Sequence, residues 1–474
     1  MVRSLIAKID SVDGLIADAS VLPSLVLRFM NSIYPPPTLV SRSLRTVFST
    51  SSPIETMETK AKNILASIGD NISYSCLPVI ASLLLYDTAS NDPYHLTKIL
   101  ALSIGLLCLA FYKKPKAGPL DLPIGVFLLS LIASALLAGD WWGDFFGQRT
   151  FYFNGAFPSI LCAMCYSFSL GTDQDKAERT ILWSASAVAV VGLMQLFGWI
   201  LPYPMSEGTR IYSVAGSPVH VSLVIAIGAI LGIMRKSPLA ILCLVALCYT
   251  ETRAGFVAVA AGLVPLAWNS RYRTWFIVAI ILSTILGMSW VVWVRDATPE
   301  SDHSRMMTWV TAVKAWRVHP WFGWGPDSFD KAYIVIREAH TVKFHGAFRV
   351  AAQAHNWFLQ SLAATGLVGL SALAYLAYSA SRLPLGRAFP IVLAVSAFGF
   401  FQPTSFYSKA VLASLLGAAL PATGIRSPYP PRVFLGIVSA VYLMFAVGSR
   451  IERAALDSND GGLYFRAGIL HPGK

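Results

Sequence analysis

"AAQAHNWFLQSLAATGLVGL", residues 351–370, leaves a polar loop at His355-Asn356 and enters an apolar run that continues to about residue 380. A helix needs roughly 20 such residues to cross a bilayer core. Similar runs recur on both sides of this one, near 72–88, 95–112, 119–138, 153–171, 180–200, 213–234, 238–251, 254–268, 274–294, 388–402, 408–423 and 433–449. The pattern predicts an all-α polytopic membrane protein of about 12–13 transmembrane helices. Composition agrees: of 474 residues, 55% are hydrophobic and 13% charged, against about 25% charged in a soluble domain. Mean hydropathy is +0.58. The net charge of +12 is therefore read by side of the membrane, with lipid and not nucleic acid as the partner.

The short basic loops test the span count. "KKPK" (113–116), "RK" (235–236), "RYR" (271–273), Arg382/Arg387 and Arg426/Arg432 all fall on one side, which the positive-inside rule makes cytoplasmic. Residues 1–70 form an N-terminal cytoplasmic or membrane-surface extension and linker, with "YPPPT" at 34–38, and Met57 offers an alternative start. Spans then occupy 71–294 and 355–449, separated by an outer loop over 295–354, and a short tail follows over 450–474. The 295–354 loop is too long to be a simple connection. It carries Trp309, Trp316, Trp321 and Trp324 and is expected to be ordered and partly helical.

Two stretches then stand together. "SRMMTWVTAVKAWRVHPWFGWGPDSF" (304–329) and "AHNWFLQSLAATGLVGL" (354–370) resemble the two-part signature of the O-antigen ligase and polymerase superfamily. In that pattern an Arg begins an amphipathic helix, an "hPhhGhGxxxF" turn follows, and a His-Asn opens a membrane helix ending in "tGhhGl". Here these are Arg305, His319–Phe329, His355–Asn356 and Gly366–Gly369. "TRAG" (252–255) resembles the family's other Arg motif. "RIYSVAGSPVH" (210–220) resembles a weaker upstream one, departing from it at Ser217-Pro218-Val219-His220.

The resemblance implies an inner-membrane glycosyltransferase of lipopolysaccharide or other polysaccharide biosynthesis, with its active site facing the periplasm. It would move a glycan from an undecaprenyl-pyrophosphate carrier to lipid A–core, to another glycan, or to a protein hydroxyl. The candidate residues suit that chemistry. His355 is mostly neutral at pH 7 and stands at a helix N-terminus, where the dipole disfavours imidazolium, so it is the candidate general base. Arg253 and Arg305 are candidates for binding the pyrophosphate through planar, permanently charged forks, and Arg210 is a third. Asn356 is placed to orient the histidine, to bond to sugar, or to open the helix. Glycines 366 and 369 are expected to let neighbouring helices pack closely.

No cofactor or metal is expected. Asp173–Asp175 lies on the cytoplasmic side and reads as a helix start, and His303, His319, His340 and His345 lack a ligand spacing. The six cysteines lie in apolar stretches and read as small core residues. Within the same superfamily, ligase, polymerase and protein O-oligosaccharyltransferase stay open. A transporter or flippase is the alternative of another class, and it would need a central site with alternating closure.

Overall fold

The computed structural model describes residues 72–87, 90, 92, 94–147, 154–198, 210–268, 271–295, 299–338, 350–424 and 431–458. The unit Met1–Asp70, with Met57, lies outside them, as do His340, His345 and the tail beyond Ser458.

Each apolar run read from the sequence is helical. After a short turn at Tyr74–Cys76 come α1 (Leu77–Leu84), α2 (His95–Tyr112), α3 (Asp121–Leu137), the short α4 (Trp141–Phe146), α5 (Ala156–Ser169) and α6 (Gln174–Met194). Then follow α7 (Pro218–Met234), α8 (Leu239–Tyr249), α9 (Arg253–Trp268) and α10 (Arg273–Arg295). The 295–354 segment holds α11 (Pro299–Val318) and α12 (Phe329–Ile336). The chain ends with α13 (Trp357–Ser381), α14 (Phe389–Gly399), α15 (Phe406–Ala419) and α16 (Pro431–Ser458), which runs past the expected boundary at 449. Among the described residues four helical stretches are long and apolar enough to cross a membrane: His95–Tyr112, Gln174–Phe197, Trp357–Ser381 and Arg432–Ala454. The shorter apolar helices coincide with the remaining runs. The chain is an all-α polytopic membrane protein.

Local sequence explains where several helices begin. The Asp173 carboxylate accepts from the backbone N–H of Asp175 and Lys176 and starts α6, as its spelling predicts. Pro78, Pro218 and Pro390 occupy first turns, where a missing N–H costs nothing. Helix α7 is buried almost all round, from His220 to Gly232. A helix apolar on every face belongs at the centre of a bundle, and α7 packs against α6, α8, α9 and α14. One continuous core joins Val79, Leu106, Cys165, Ile181, Ile225, Leu247, Ala394, Val411 and Tyr442. A second, small core ties α11 and α12 to the start of α13 through Ala312, Ala315, Phe329, Tyr333 and Ala363. All six cysteines are free.

Candidate functional site

The loop signature and the helix signature are two halves of one splice. Helix α13 is broken at Gly366, whose φ of 64° and ψ of −163° only glycine adopts readily. The turn at 320–325 fills the break. Trp324 N donates to Ala363 O (3.1 Å) and Gly325 N to Ala364 O (2.9 Å), while Leu367 N donates to Pro320 O (2.8 Å) and Val368 N to Trp321 O (3.1 Å). Ser134 of α3 adds its hydroxyl to Phe322 O (2.6 Å) and Ala364 O (3.0 Å). A helix broken in an apolar setting must have its freed backbone groups paired elsewhere, and this turn pairs them. A Cβ at Gly323 would collide with the Ala364 carbonyl, and one at Gly366 with the Trp321 carbonyl. Gly366 was expected to let helices pack closely. It instead breaks its own helix to admit the loop.

The splice sits one helical segment beyond His355. Here the backbone is strained: His355 has φ 51°, in the left-handed region, at a cost of roughly 1–2 kcal/mol for a residue with a Cβ. Its neighbours hold it there. Ala354 N donates to Gln360 Oε1 (2.7 Å). Asn356 caps α13, accepting from Leu359 N at 3.0 Å, and its amide nitrogen donates to Phe400 O at 3.0 Å. His355 Nδ1 lies 2.9 Å from Gln402 Oε1, in the turn after α14. Burial is the main influence on the ring and lowers its pKa below the usual histidine value; the Gln402 bond opposes this and the Arg305 charge adds to it. Arg305, distant in sequence, is therefore close enough for its field to act on His355.

The upstream candidates reach the same end of the bundle. Arg210 Nε donates to Thr250 O (3.1 Å) and its Nη2 to Thr252 Oγ1 (3.0 Å), while Ile211 N donates to Tyr249 O (3.0 Å). The Thr252 hydroxyl in turn reaches Pro218 O at 3.4 Å, at the start of α7. Arg253 begins α9 directly after the strained Glu251, with φ 48°. Gly262 of α9 lies beside the carbonyl of Pro390, at the start of α14. The two helices pack closely against each other.

Sequence reasoning passed over three residues here. His220 is buried, meets the Tyr407 ring edge-on at 6.4 Å, and has His95 and His355 as its electrostatic neighbours. Lys409 Nζ donates to Asn154 Oδ1 (2.9 Å) and lies 6.0 Å from the Trp357 ring. Gln402 is the third. His220 entered the sequence reading only as a departure from the upstream motif and was given no role, and nothing in the sequence singles out Gln402 or Lys409.

A further cluster fastens the loop to the bundle. Asp144 of α4 is fully buried; its Oδ1 accepts from Asp327 N (3.2 Å) and Ser328 Oγ (2.9 Å). Burial pushes its carboxyl up to about 6, against the Ser328 bond. Asp327 accepts from Asn154 N at 3.3 Å, and Lys331 pairs with Asp140. Trp142 packs tilted against Phe146 and edge-on against Phe445.

Two hollows flank the site. An apolar groove of about 590 Å³ lies below the splice between α3 and the second half of α13, lined by Val126, Leu129, Trp321, Leu367, Val368 and Tyr375 among others. A smaller one of about 420 Å³ lies against α11, lined by Met306, Trp309, Val313, Lys314, Arg317 and Leu359. Neither is lined by His355 or Arg253. Among the described residues no group of three His, Cys, Asp or Glu side chains is arranged to hold a metal ion.

A comparison with curated proteins gives no match. The family model described as O-antigen ligase matches residues 238–374, from α8 to beyond the break in α13. The matched span contains Arg253, Arg305, His355, Asn356 and both halves of the splice, while Arg210, His220, Gln402 and Lys409 lie outside it. The match falls on the same two stretches that carry the sequence signature, so this part of the polytopic chain is similar to the O-antigen ligase family.

Proposed function

We propose that the chain transfers a glycan from an undecaprenyl-pyrophosphate carrier to an acceptor hydroxyl at the periplasmic face of the inner membrane, as an O-antigen ligase does. The family match over residues 238–374 supports glycan transfer of the ligase or polymerase kind. Donor, face and residue roles are the finer reading. In it, the acceptor oxygen attacks the anomeric carbon and a new C–O bond forms. The bond from that carbon to the pyrophosphate oxygen breaks, and the carrier pyrophosphate leaves with the electron pair. His355 takes the acceptor's proton. Arg253 and Arg305 hold the diphosphate and offset the charge that grows on it, a task for which guanidinium needs no metal. Arg210 braces the Thr250–Thr252 turn from which Arg253 springs, and Asn356 fixes the start of the helix beside the base.

The observation that carries this reading is the strained backbone that holds His355 at the start of α13, with the Arg305 charge near enough to act on its ring. Strain retained at a residue with acid–base chemistry is the mark of a working site. The apolar groove between α3 and α13 suits the hydrocarbon of a polyprenyl carrier, since hydrocarbon needs no polar partner. The candidates cluster at one end of the bundle, which favours a transferase over a transporter with a central site.

The test is in cells. His355→Ala, expressed at wild-type level, should abolish addition of the polymer to its acceptor. If the protein is a ligase, a gel of surface polysaccharide then shows unmodified lipid A–core with carrier-linked polymer accumulating. A single repeat on the core would make it a polymerase. Wild-type polysaccharide from His355→Ala would overturn the base assignment.

A further inference from the structure

The turn after α14 was silent in the sequence, "FQPTS" at 401–405, yet it closes over the site. Gln402 is buried at 5% exposure, and its backbone N–H donates to Phe398 O at 3.0 Å. Asn356 pins the same turn through Phe400 O, and the Phe358 and Phe400 rings pack tilted against each other with centroids 4.7 Å apart. A Cβ on Gly399 would lie 3.0 Å from the Trp357 ring, so the chain leading to Gln402 runs directly against the residue that starts α13. The amide of Gln402 therefore comes from a fixed turn, and it reaches His355 Nδ1 at 2.9 Å.

We propose that Gln402 is a positioning residue for transfer: its amide oxygen accepts the Nδ1 proton of His355 and so fixes the tautomer in which Nε2 carries the free lone pair. The proposal rests on the reading of His355 as the general base. An amide oxygen only accepts, so the ring nitrogen facing it must donate. The other nitrogen is then the one that can take a proton from an acceptor hydroxyl. The choice of partner also matters. A carboxylate at this position would stabilise imidazolium and raise the pKa of the base. A neutral amide orients the ring with a weaker bias than a carboxylate would, and burial and the Arg305 charge outweigh it. The opposite amide orientation, with NH2 against Nδ1, would force the proton onto Nε2 and leave no base.

The experiment uses the purified full-length protein with a lipid-linked glycan donor and its acceptor, following kcat and KM against pH. A neutral base gives activity that falls on the acid side as the ring protonates. Gln402→Glu should move that acid limb up by about 1 pH unit or more, as an adjacent opposite charge does. Gln402→Leu should lower kcat on the order of 10- to 100-fold, with the donor KM within about twofold. His355→Ala serves as the separate arm. If it is inactive while Gln402→Glu leaves the acid limb in place and Gln402→Leu keeps wild-type kcat, the role of Gln402 is refuted and that of His355 stands. If His355→Ala transfers at the wild-type rate, the underlying reading fails first. Should Gln402→Leu fold poorly, the near-isosteric Gln402→Glu decides the matter through the pH profile alone.

Discussion

The two ends of the bundle are built differently. Helix α6 runs between them: Asp175 stands at its first turn, and Gln195, just past its last, accepts from Tyr212 N and Ser213 N at 3.0 Å each. At the Asp175 end, charges answer charges. Asp175 meets Arg179, Arg235 and Arg387, and the buried Glu178 meets Arg235 and Arg387. At the other end the same kinds of backbone ends carry strain and hydrogen-bonding side chains. Among the described residues Ser213, Lys236, Glu251 and His355 are the non-glycine residues with positive φ, and all but Lys236 lie there. Arg210 is held by a carbonyl and a hydroxyl, and His355 meets an amide. One end is closed by ion pairs. The other spends stability to hold a few groups in set positions, which is the usual signature of a functional site.

That contrast can be broken at three places, taken here from the largest effect to the smallest. Gly366→Val should do most damage, because it meets both a left-handed φ and the Trp321 carbonyl. A loss above about 2 kcal/mol is expected, read as a lower Tm, faster proteolysis in the 299–338 loop and loss of transfer. A variant that keeps wild-type Tm and protease resistance would show that the splice is not needed.

Asp144 should give a pH-dependent effect. Its carboxyl titrates near 6 in the fold and near 3.8 when free. Between those values the folded chain holds a proton that the unfolded chain lacks, so stability falls as pH rises from about 4 through 6. Asp144→Asn should flatten that dependence, leaving the protein as stable as wild type near pH 4 and more stable by up to about 3 kcal/mol at pH 7.5. Thermal melts across that range check it; an unchanged slope would refute it.

At the opposite end, Arg387→Gln removes pairs whose arginine is nearly half exposed. Solvent screening limits the cost to about 0.5–1 kcal/mol, and kcat should not move. A large fall in kcat with Tm preserved would mean that this end takes part in the reaction after all.

How much of this was legible in the sequence depends on the kind of signal. The helices were readable because apolar runs of bilayer length have one solution; α2 and α13 follow them closely, while α6 begins before its run and α16 ends after it. His355, Arg305 and Arg253 could be proposed as candidates because each sits in a patterned stretch at the edge of a run. The splice was not. The glycines of "HPWFGWG" and "TGLVGL" looked like separate features, since no local rule says that one turn will pair with the break in a helix some forty residues later in the chain. Gln402, His220 and Lys409 were invisible for a related reason: a lone polar residue gains meaning only from the side chain it faces. Asp144 likewise carries no sign of its role in the sequence, and the structure gives it the work of holding the loop at Asp327 and Ser328.

The central claim is that one imidazole and two guanidinium groups divide proton transfer and diphosphate binding between them. Its most direct test measures donor binding and single-turnover transfer side by side in the purified protein. The account predicts that His355→Ala binds the lipid-linked donor within about twofold of wild type yet transfers at least about 100-fold more slowly. Arg253→Ala and Arg305→Ala should each weaken donor binding by about tenfold or more. Wild-type transfer from His355→Ala, or wild-type donor binding by both arginine variants, would contradict it.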